Sequence, residues 1–87
     1  MTKREKAANV FEDLMNQIKH PMRLGKEYYL SQVDNPNSNM VALVYDAFSI
    51  LRTDIDAVSI KGKFRMDATP EKLDELLCEY SYLLWND

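Results

Sequence analysis

Cysteine, glycine and histidine are scarce in this chain of 87 residues, which contains one, two and one of them. The single cysteine, Cys78, cannot form an internal disulfide, and this favours a reducing, intracellular compartment. Two distant glycines cannot build a phosphate-binding loop. His20 and Cys78 provide too few ligands for zinc, so we predict no metal and no cofactor.

Long apolar runs are also missing, since none approaches the ~18 residues that a membrane-spanning helix needs. The N-terminus is positively charged, but no uninterrupted apolar region follows it, as a signal peptide would require. We therefore predict a cytoplasmic protein with no membrane contact. Apolar residues make up 46% and charged residues 29%, a composition typical of a folded domain. The length predicts a single domain, 1–87.

The net charge of −3 is unevenly distributed along the chain. Residues 1–26 contain six bases and three acids, whereas residues 67–87 contain one base and six acids. Such polarity can steer a charged partner. Solvated helix faces give the same pattern, so both interpretations stay open.

The N-terminal sequence predicts a helix. The residues "TKRE" at 2–5 fit a capping box, in which Thr2 is the N-cap and Glu5 reaches back to it. Apolar residues then recur at helical spacing along one stripe. The helix should end near His20, because Pro21 disfavours helical geometry in the residue before it.

Two further segments predict helices. Residues 39–52 have an apolar stripe about half a helix circumference wide, so we expect this helix at the centre of the core. Residues 69–87 begin with Thr69 as N-cap and Pro70 at the first helical position. The buried stripe predicted for this last helix consists of Leu73, Leu76, Leu77, Tyr80 and Leu84, with Leu83 at its edge.

The remaining apolar segments favour strands. In residues 26–33, the residue types of Tyr28, Tyr29, Leu30 and Val33 favour a strand, although a short helix is the alternative. Residues 56–66 alternate between apolar and polar, with Gly62 at a bulge or a hairpin tip. We therefore predict a small α+β domain, in which three helices pack on a minimal antiparallel sheet of two or three strands. The alternative is a mostly α domain with one β-hairpin.

A second stripe on the last helix is the first candidate site. It lies opposite the leucines and consists of Cys78, Tyr82 and Trp85, with the acids Asp74, Glu75 and Glu79 around it. Aromatic anchors with a polar rim are typical of a protein-binding or dimer surface. The competing interpretation is that residues 26–39 cover these rings.

A cationic row is the second candidate site. Lys61, Lys63 and Arg65 alternate with apolar residues, so they would share one face of a strand and could contact phosphates. Lysine-rich strands also protect sheet edges from pairing, and the negative net charge argues against nucleic acid. The row is more simply the solvated back of a strand.

Catalytic chemistry has little support. Cys78 lies among carboxylates, which discourage thiolate formation. We therefore predict a non-enzymatic regulatory module that binds another protein or itself. Short acidic proteins include many phage and mobile-element accessory proteins that inhibit host machinery, an analogy of size and composition alone. The alternative function is a nucleic-acid-binding or transcription-regulatory protein that uses Lys61, Lys63 and Arg65.

Overall fold

The computed structural model describes residues 1–53, Gly62 and residues 68–85, except for the side chain of Trp85. Residues 1–53 and 68–85 form four α-helices and one 3-10 helix, and they contain no strand. The α-helices are α1 (Lys3–Gln17), α2 (Lys26–Gln32), α3 (Met40–Leu51) and α4 (Pro70–Glu79), and the 3-10 helix (Tyr80–Trp85) follows α4 directly. The described part of the protein is therefore all-α.

The prediction of an α+β fold is wrong, because residues 26–33 contain helix α2 instead of a strand. Tyr29 and Val33 are both buried, while Leu30 beside them is 39% exposed. Two residues four positions apart share one face of a helix, so this burial has helical spacing. Packing of that face outweighs the strand preference of tyrosine and valine.

The predicted hairpin also fails at the one residue where it can be examined. Residues 56–66 lie outside the described part except for Gly62, which is exposed and helical. A helical Gly62 is not the tip of a β-hairpin. The alternative of a mostly α domain with one hairpin is therefore wrong as well, because all regular secondary structure in the described residues is helical.

The N-terminus of helix α2 is capped by a side chain of another helix, not by the residue at its own N-cap position. Gly25 occupies the cap position and has no side chain to bond the free N–H groups. The carboxylate of Glu12, on α1, accepts a hydrogen bond from the Lys26 N–H at 2.8 Å. A Cβ on residue 25 would come within 2.7 Å of that carboxylate. The glycine thus leaves room for Glu12 to cap α2.

Helix α1 has the predicted capping box at its N-terminus. The Glu5 N–H donates to the Thr2 hydroxyl at 3.1 Å, and the Thr2 N–H donates back to the Glu5 carboxylate at 3.3 Å. At the other end Lys19 has a φ of 56°, a left-handed conformation usual just after a helix. The His20 N–H then reaches the Met15 carbonyl at 3.1 Å. This closing turn ends α1 before Pro21.

Helix α1 occupies the centre of the described core, and it contacts α2, α3, α4 and the 3-10 helix. Its buried residues are Ala7, Ala8, Val10, Phe11, Leu14 and Met15. Helix α3, which the sequence predicts at the centre, buries Val44 and Phe48 but leaves Ile50 63% exposed. One side of α3 therefore packs inward, and α1 takes the central place.

Helix α4 starts as predicted and ends earlier. The Thr69 hydroxyl accepts a hydrogen bond from the Lys72 N–H at 3.2 Å, and Pro70 is the first helical residue. The α-helix ends at Glu79, and the chain tightens into the 3-10 helix. The predicted leucine stripe is confirmed, since all five leucines are buried. Among the described residues, no helix is both long enough and apolar enough to cross a membrane.

Candidate functional site

The predicted partner-binding residues differ in how far they are exposed. Tyr82, Glu75 and Glu79 are exposed, and Tyr82 is 62% exposed. Cys78 is half-buried and Asp74 is buried. The side chain of Trp85 lies outside the described part. The exposed group defines a candidate interaction surface, whereas Asp74 belongs to the interior.

Three carboxylates stand one helical turn apart on the exposed side of α4. Glu71, Glu75 and Glu79, which we call the acidic stripe, are all exposed. Their spacing of four residues places them on one face of an α-helix. Tyr82 follows three residues after Glu79, within the 3-10 helix, and it is also exposed. Lys72 is also exposed and borders the stripe.

The exposed ring of Tyr82 is connected to the core through neighbouring aromatic rings. Its centroid lies 6.4 Å from that of Tyr80, and Tyr80 lies 6.2 Å from the buried ring of Phe48. The 3-10 helix itself is tied to α1, because the Gln17 side-chain amide donates to the Leu84 carbonyl at 3.0 Å. Tyr82 is therefore presented on a backbone that is anchored to the core.

Cys78 stands beside this surface as a protonated thiol. Its Sγ atom lies 3.9 Å from the Lys3 carbonyl, to which the thiol donates. Burial raises the pKa of the Cys78 thiol, and the charge of Asp74 raises it further, while Lys6 and Lys3 oppose the increase. A raised pKa keeps the thiol protonated, which disfavours attack as a nucleophile.

Asp74 joins a buried cluster that the sequence analysis did not identify. Asp74 is only 4% exposed. One carboxylate oxygen accepts a hydrogen bond from the Tyr29 hydroxyl at 2.6 Å, and the other pairs with the Arg4 guanidinium. Arg4 also contacts Asp34 at 3.2 Å. The cluster links α1, the α2 region and α4, so the role of Asp74 within the chain is to hold three segments together.

The available sequence signal for this cluster was the position of Asp74 itself. Asp74 follows Leu73 and precedes Leu77 by three residues, so it lies at the flank of the leucine stripe. A charge at such a position needs a partner when the stripe packs. The partners Arg4 and Tyr29 are 70 and 45 residues away along the chain, and no local pattern indicates them.

Tyr29 has a strongly raised pKa in this cluster. Burial is the largest cause, followed by the hydrogen bond to Asp74 and the negative charge of Asp74. The unperturbed pKa of tyrosine is 10.0. Above that pH the unfolded chain loses the phenolic proton while the folded chain keeps it, so folding stability decreases as pH rises. Below pH ~10 the contribution is fully present.

This linkage predicts an alkaline loss of stability that depends on Tyr29. Above pH ~10, the free energy of unfolding should fall more steeply for the wild type than for Tyr29→Phe, the difference approaching about 1.4 kcal/mol per pH unit. Urea titrations between pH ~9 and ~11.5 measure the two slopes. Tyr82→Phe, an exposed control, should keep the wild-type slope. Parallel curves for wild type and Tyr29→Phe would contradict the assignment.

The sequence analysis also singled out a cationic row and His20. Lys61, Lys63 and Arg65 lie outside the described residues, so the nucleic-acid alternative stays a prediction. His20 accepts a hydrogen bond from the Met22 N–H at its Nδ1 atom, at 3.1 Å, which helps to shape the loop after α1. In the residues that the structure describes, no three His, Cys, Asp or Glu side chains are grouped to hold a metal ion.

Comparison with known proteins found no similar protein. No protein-family description, no curated protein and no solved structure matches the chain. The functional argument therefore depends on the geometry of the described residues alone.

Proposed function

We propose that this protein is a non-enzymatic binding module, which docks another protein on the surface formed by Tyr82 and the acidic stripe. The observation that carries the proposal is the exposure of Tyr82, at 62%, on an anchored support. Tyrosine is enriched at the energetic centres of interfaces, because it offers a large contact area and a polar hydroxyl.

The surroundings of Tyr82 support this role. The ring of Tyr80 lies near it, at a centroid distance of 6.4 Å, and the exposed acids Glu75 and Glu79 precede it in the chain. An aromatic centre with a polar rim is the usual arrangement of a protein–protein contact. Because the 3-10 helix is tied to α1, little conformational entropy is lost when a partner binds.

The proposal includes a regulatory role in which binding inhibits the partner. The support for this part is the small size and the acidic composition of the chain, with 14 acids against 11 bases. Under this proposal the protein acts as an accessory protein that occupies a surface of a larger protein assembly. Identification of the captured partner tests this part directly.

Substitution of Tyr82 tests the proposed surface. Tyr82→Ala should abolish recovery of the partner in affinity capture from a cell lysate, while it shifts the melting temperature only slightly, because surface substitutions change stability by about 0.5 kcal/mol or less. Ile50→Ala is the matched control, since Ile50 is 63% exposed on α3. It should leave capture unchanged.

Two results would contradict the proposed surface. If Tyr82→Ala lowers the melting temperature strongly, the ring contributes to the core. If the same partners are recovered with Tyr82→Ala at undiminished yield, the contact lies elsewhere. A separate Trp85→Ala variant tests the other predicted aromatic anchor, and light scattering on each variant distinguishes a partner from a second copy of the chain.

A further inference from the structure

The loop between α1 and α2 borders an open cleft that the proposed function does not use. The cleft has a volume of about 380 Å³, which lies within the range of small-molecule pockets. Its described walls come from the C-terminal half of α1, the loop that follows and Gly25. Residues 18–25 contain bases and no acid. The cleft therefore belongs to the basic N-terminal region of the chain, for which the sequence analysis left a partner open.

Two positive charges at the cleft have no partner within the chain. Lys19 and Arg23 line the cleft and are exposed. Neither forms an ion pair with any residue that the structure describes. Glu12 is the one acid among the described lining residues, and its carboxylate already accepts a hydrogen bond from the Lys26 N–H. The described part of the cleft thus keeps a net positive charge.

The backbone conformation of Lys19 is unusual for a lysine. Its φ of 56° is left-handed, and a residue with a side chain is less stable in that conformation than glycine. The dipole of α1 favours a base near this end. A base within the last turn would meet the dipole without the backbone cost, yet α1 has none there. Non-glycine residues held in such conformations cluster at binding sites, so the lysine points to a role for its side chain at the cleft.

The cleft also offers hydrogen-bond donors and an apolar wall. The guanidinium of Arg23 is a planar fork of donors that matches phosphate oxygens. With the hydrogen bond from the Met22 N–H formed at Nδ1 of His20, the neutral ring carries its proton on Nε2 and can donate from there. Met15, Met22 and Leu24 also line the cleft, and methionine side chains adapt to apolar groups of varied shape.

We propose that this cleft binds a small phosphorylated molecule, whose phosphate monoester lies between Lys19 and Arg23 and whose apolar body packs on Met22. A phosphate monoester carries a charge of about −1.5 to −2 at pH 7, which the two bases match. Side chains hold the phosphate, so no glycine-rich loop is needed. The described lining residues all precede Lys26, so this site is distinct from the surface around Tyr82.

The shape of the cleft favours a small molecule over a nucleic acid. A duplex is bound by cations spread along an extended surface, each of which neutralises one phosphate. Here the cations border a concave space of about 380 Å³ that also has apolar walls. Such a space accommodates one phosphate and a small apolar group.

Three probes test the inference on the full chain. Phenyl phosphate has both the phosphate and an apolar body, whereas inorganic phosphate and phenol each have one of them. Each probe is titrated into the isotope-labelled protein, and the chemical shifts of backbone amides are followed. Phenyl phosphate should shift the amides of Lys19, His20 and Arg23, with a dissociation constant at or below about 1 mM. Inorganic phosphate should bind the same residues roughly tenfold more weakly, and phenol should not bind measurably.

Paired variants identify the bases as the cause. Lys19→Gln/Arg23→Gln should weaken binding of phenyl phosphate at least roughly tenfold, because charge-assisted hydrogen bonds are lost. The matched control is Lys3→Gln/Lys72→Gln, which removes the same charge from exposed positions outside the described cleft. It should leave the affinity within about twofold of the wild type.

Substitution by glycine separates binding from folding at Lys19. Glycine adopts the left-handed conformation without a steric cost, so Lys19→Gly should keep or raise the melting temperature. The same variant loses the cation and should weaken binding of phenyl phosphate roughly fivefold. A lower melting temperature with unchanged binding would show that the lysine serves the turn and not a ligand.

Four further results would overturn the inference. These are no shift with phenyl phosphate up to about 10 mM, equal affinities for phenyl phosphate and inorganic phosphate, equal losses in the two double variants, or tighter binding of a short DNA duplex through the same bases. The last result would make the cleft part of a nucleic-acid surface. Capture of a partner through Tyr82 is a separate experiment, so either proposal can fail while the other stands.

Discussion

Replacement of Asp74 by alanine is expected to lower the free energy of unfolding by about 3–5 kcal/mol. The carboxylate is buried and pairs with the Arg4 guanidinium and the Tyr29 hydroxyl. Removal of Asp74 leaves a part-buried cation without its main partner and a buried hydroxyl without an acceptor. Both groups then lose hydrogen bonds that water cannot fully replace. The loss is large against the roughly 5–15 kcal/mol of a typical domain.

Urea denaturation followed by circular dichroism measures this loss. Glu75→Ala is the matched control, because it removes the adjacent carboxylate, which is exposed, and it should change stability by about 0.5 kcal/mol or less. Asp74→Asn keeps the volume and one acceptor, so it should lie between the two and keep the result measurable if Asp74→Ala does not fold. Equal losses for Asp74→Ala and Glu75→Ala would contradict the structural role of the cluster.

Replacement of Phe11 by alanine should cost about 3–5 kcal/mol, a loss typical of a fully buried aromatic residue. Phe11 is 0% exposed on the central helix. Its ring centroid lies 5.2 Å from that of Tyr29 and 6.2 Å from that of Tyr28. The substitution removes these aromatic contacts and opens a cavity between α1 and α2.

The size of the effect can be graded with a second substitution. Phe11→Leu keeps most of the volume and should cost roughly 1.5 kcal/mol or less, so it reports on the site even if Phe11→Ala is unfolded. Ile50→Ala, at a position 63% exposed, should change stability by about 0.5 kcal/mol or less. Thermal and urea unfolding of the three variants provide the comparison. A Phe11→Ala protein as stable as Ile50→Ala would rule out the α1–α2 packing described above.

Local signals in the sequence predicted the starts of α1 and α4 correctly. The capping box at Thr2 and the Thr69–Pro70 start depend on hydrogen bonds and backbone angles within one turn. Such features need no distant partner. The leucine stripe of α4 was likewise correct, because one face of a helix can be identified from spacing alone.

Features that depend on distant contacts were not predicted. Helix α2 is short and rich in tyrosine, and its packing against Phe11 of α1 determines its conformation. The position of Asp74 was predicted on the binding surface, because its interior partners come from α1 and α2. The exposure of Tyr82 agrees with the predicted surface, while its role in binding stays a prediction.

The packing of α4 on α1 has a consequence for synthesis on the ribosome. Contacts between the two ends of the described chain include Arg4 with Asp74, 70 residues apart, and Gln17 with Leu84, 67 residues apart. The side of α1 that packs on α4 therefore stays uncovered while all the intervening residues are translated. Contacts of such high sequence separation form late and slowly. The nascent chain consequently presents an apolar surface to chaperones until the leucines of α4 leave the exit tunnel.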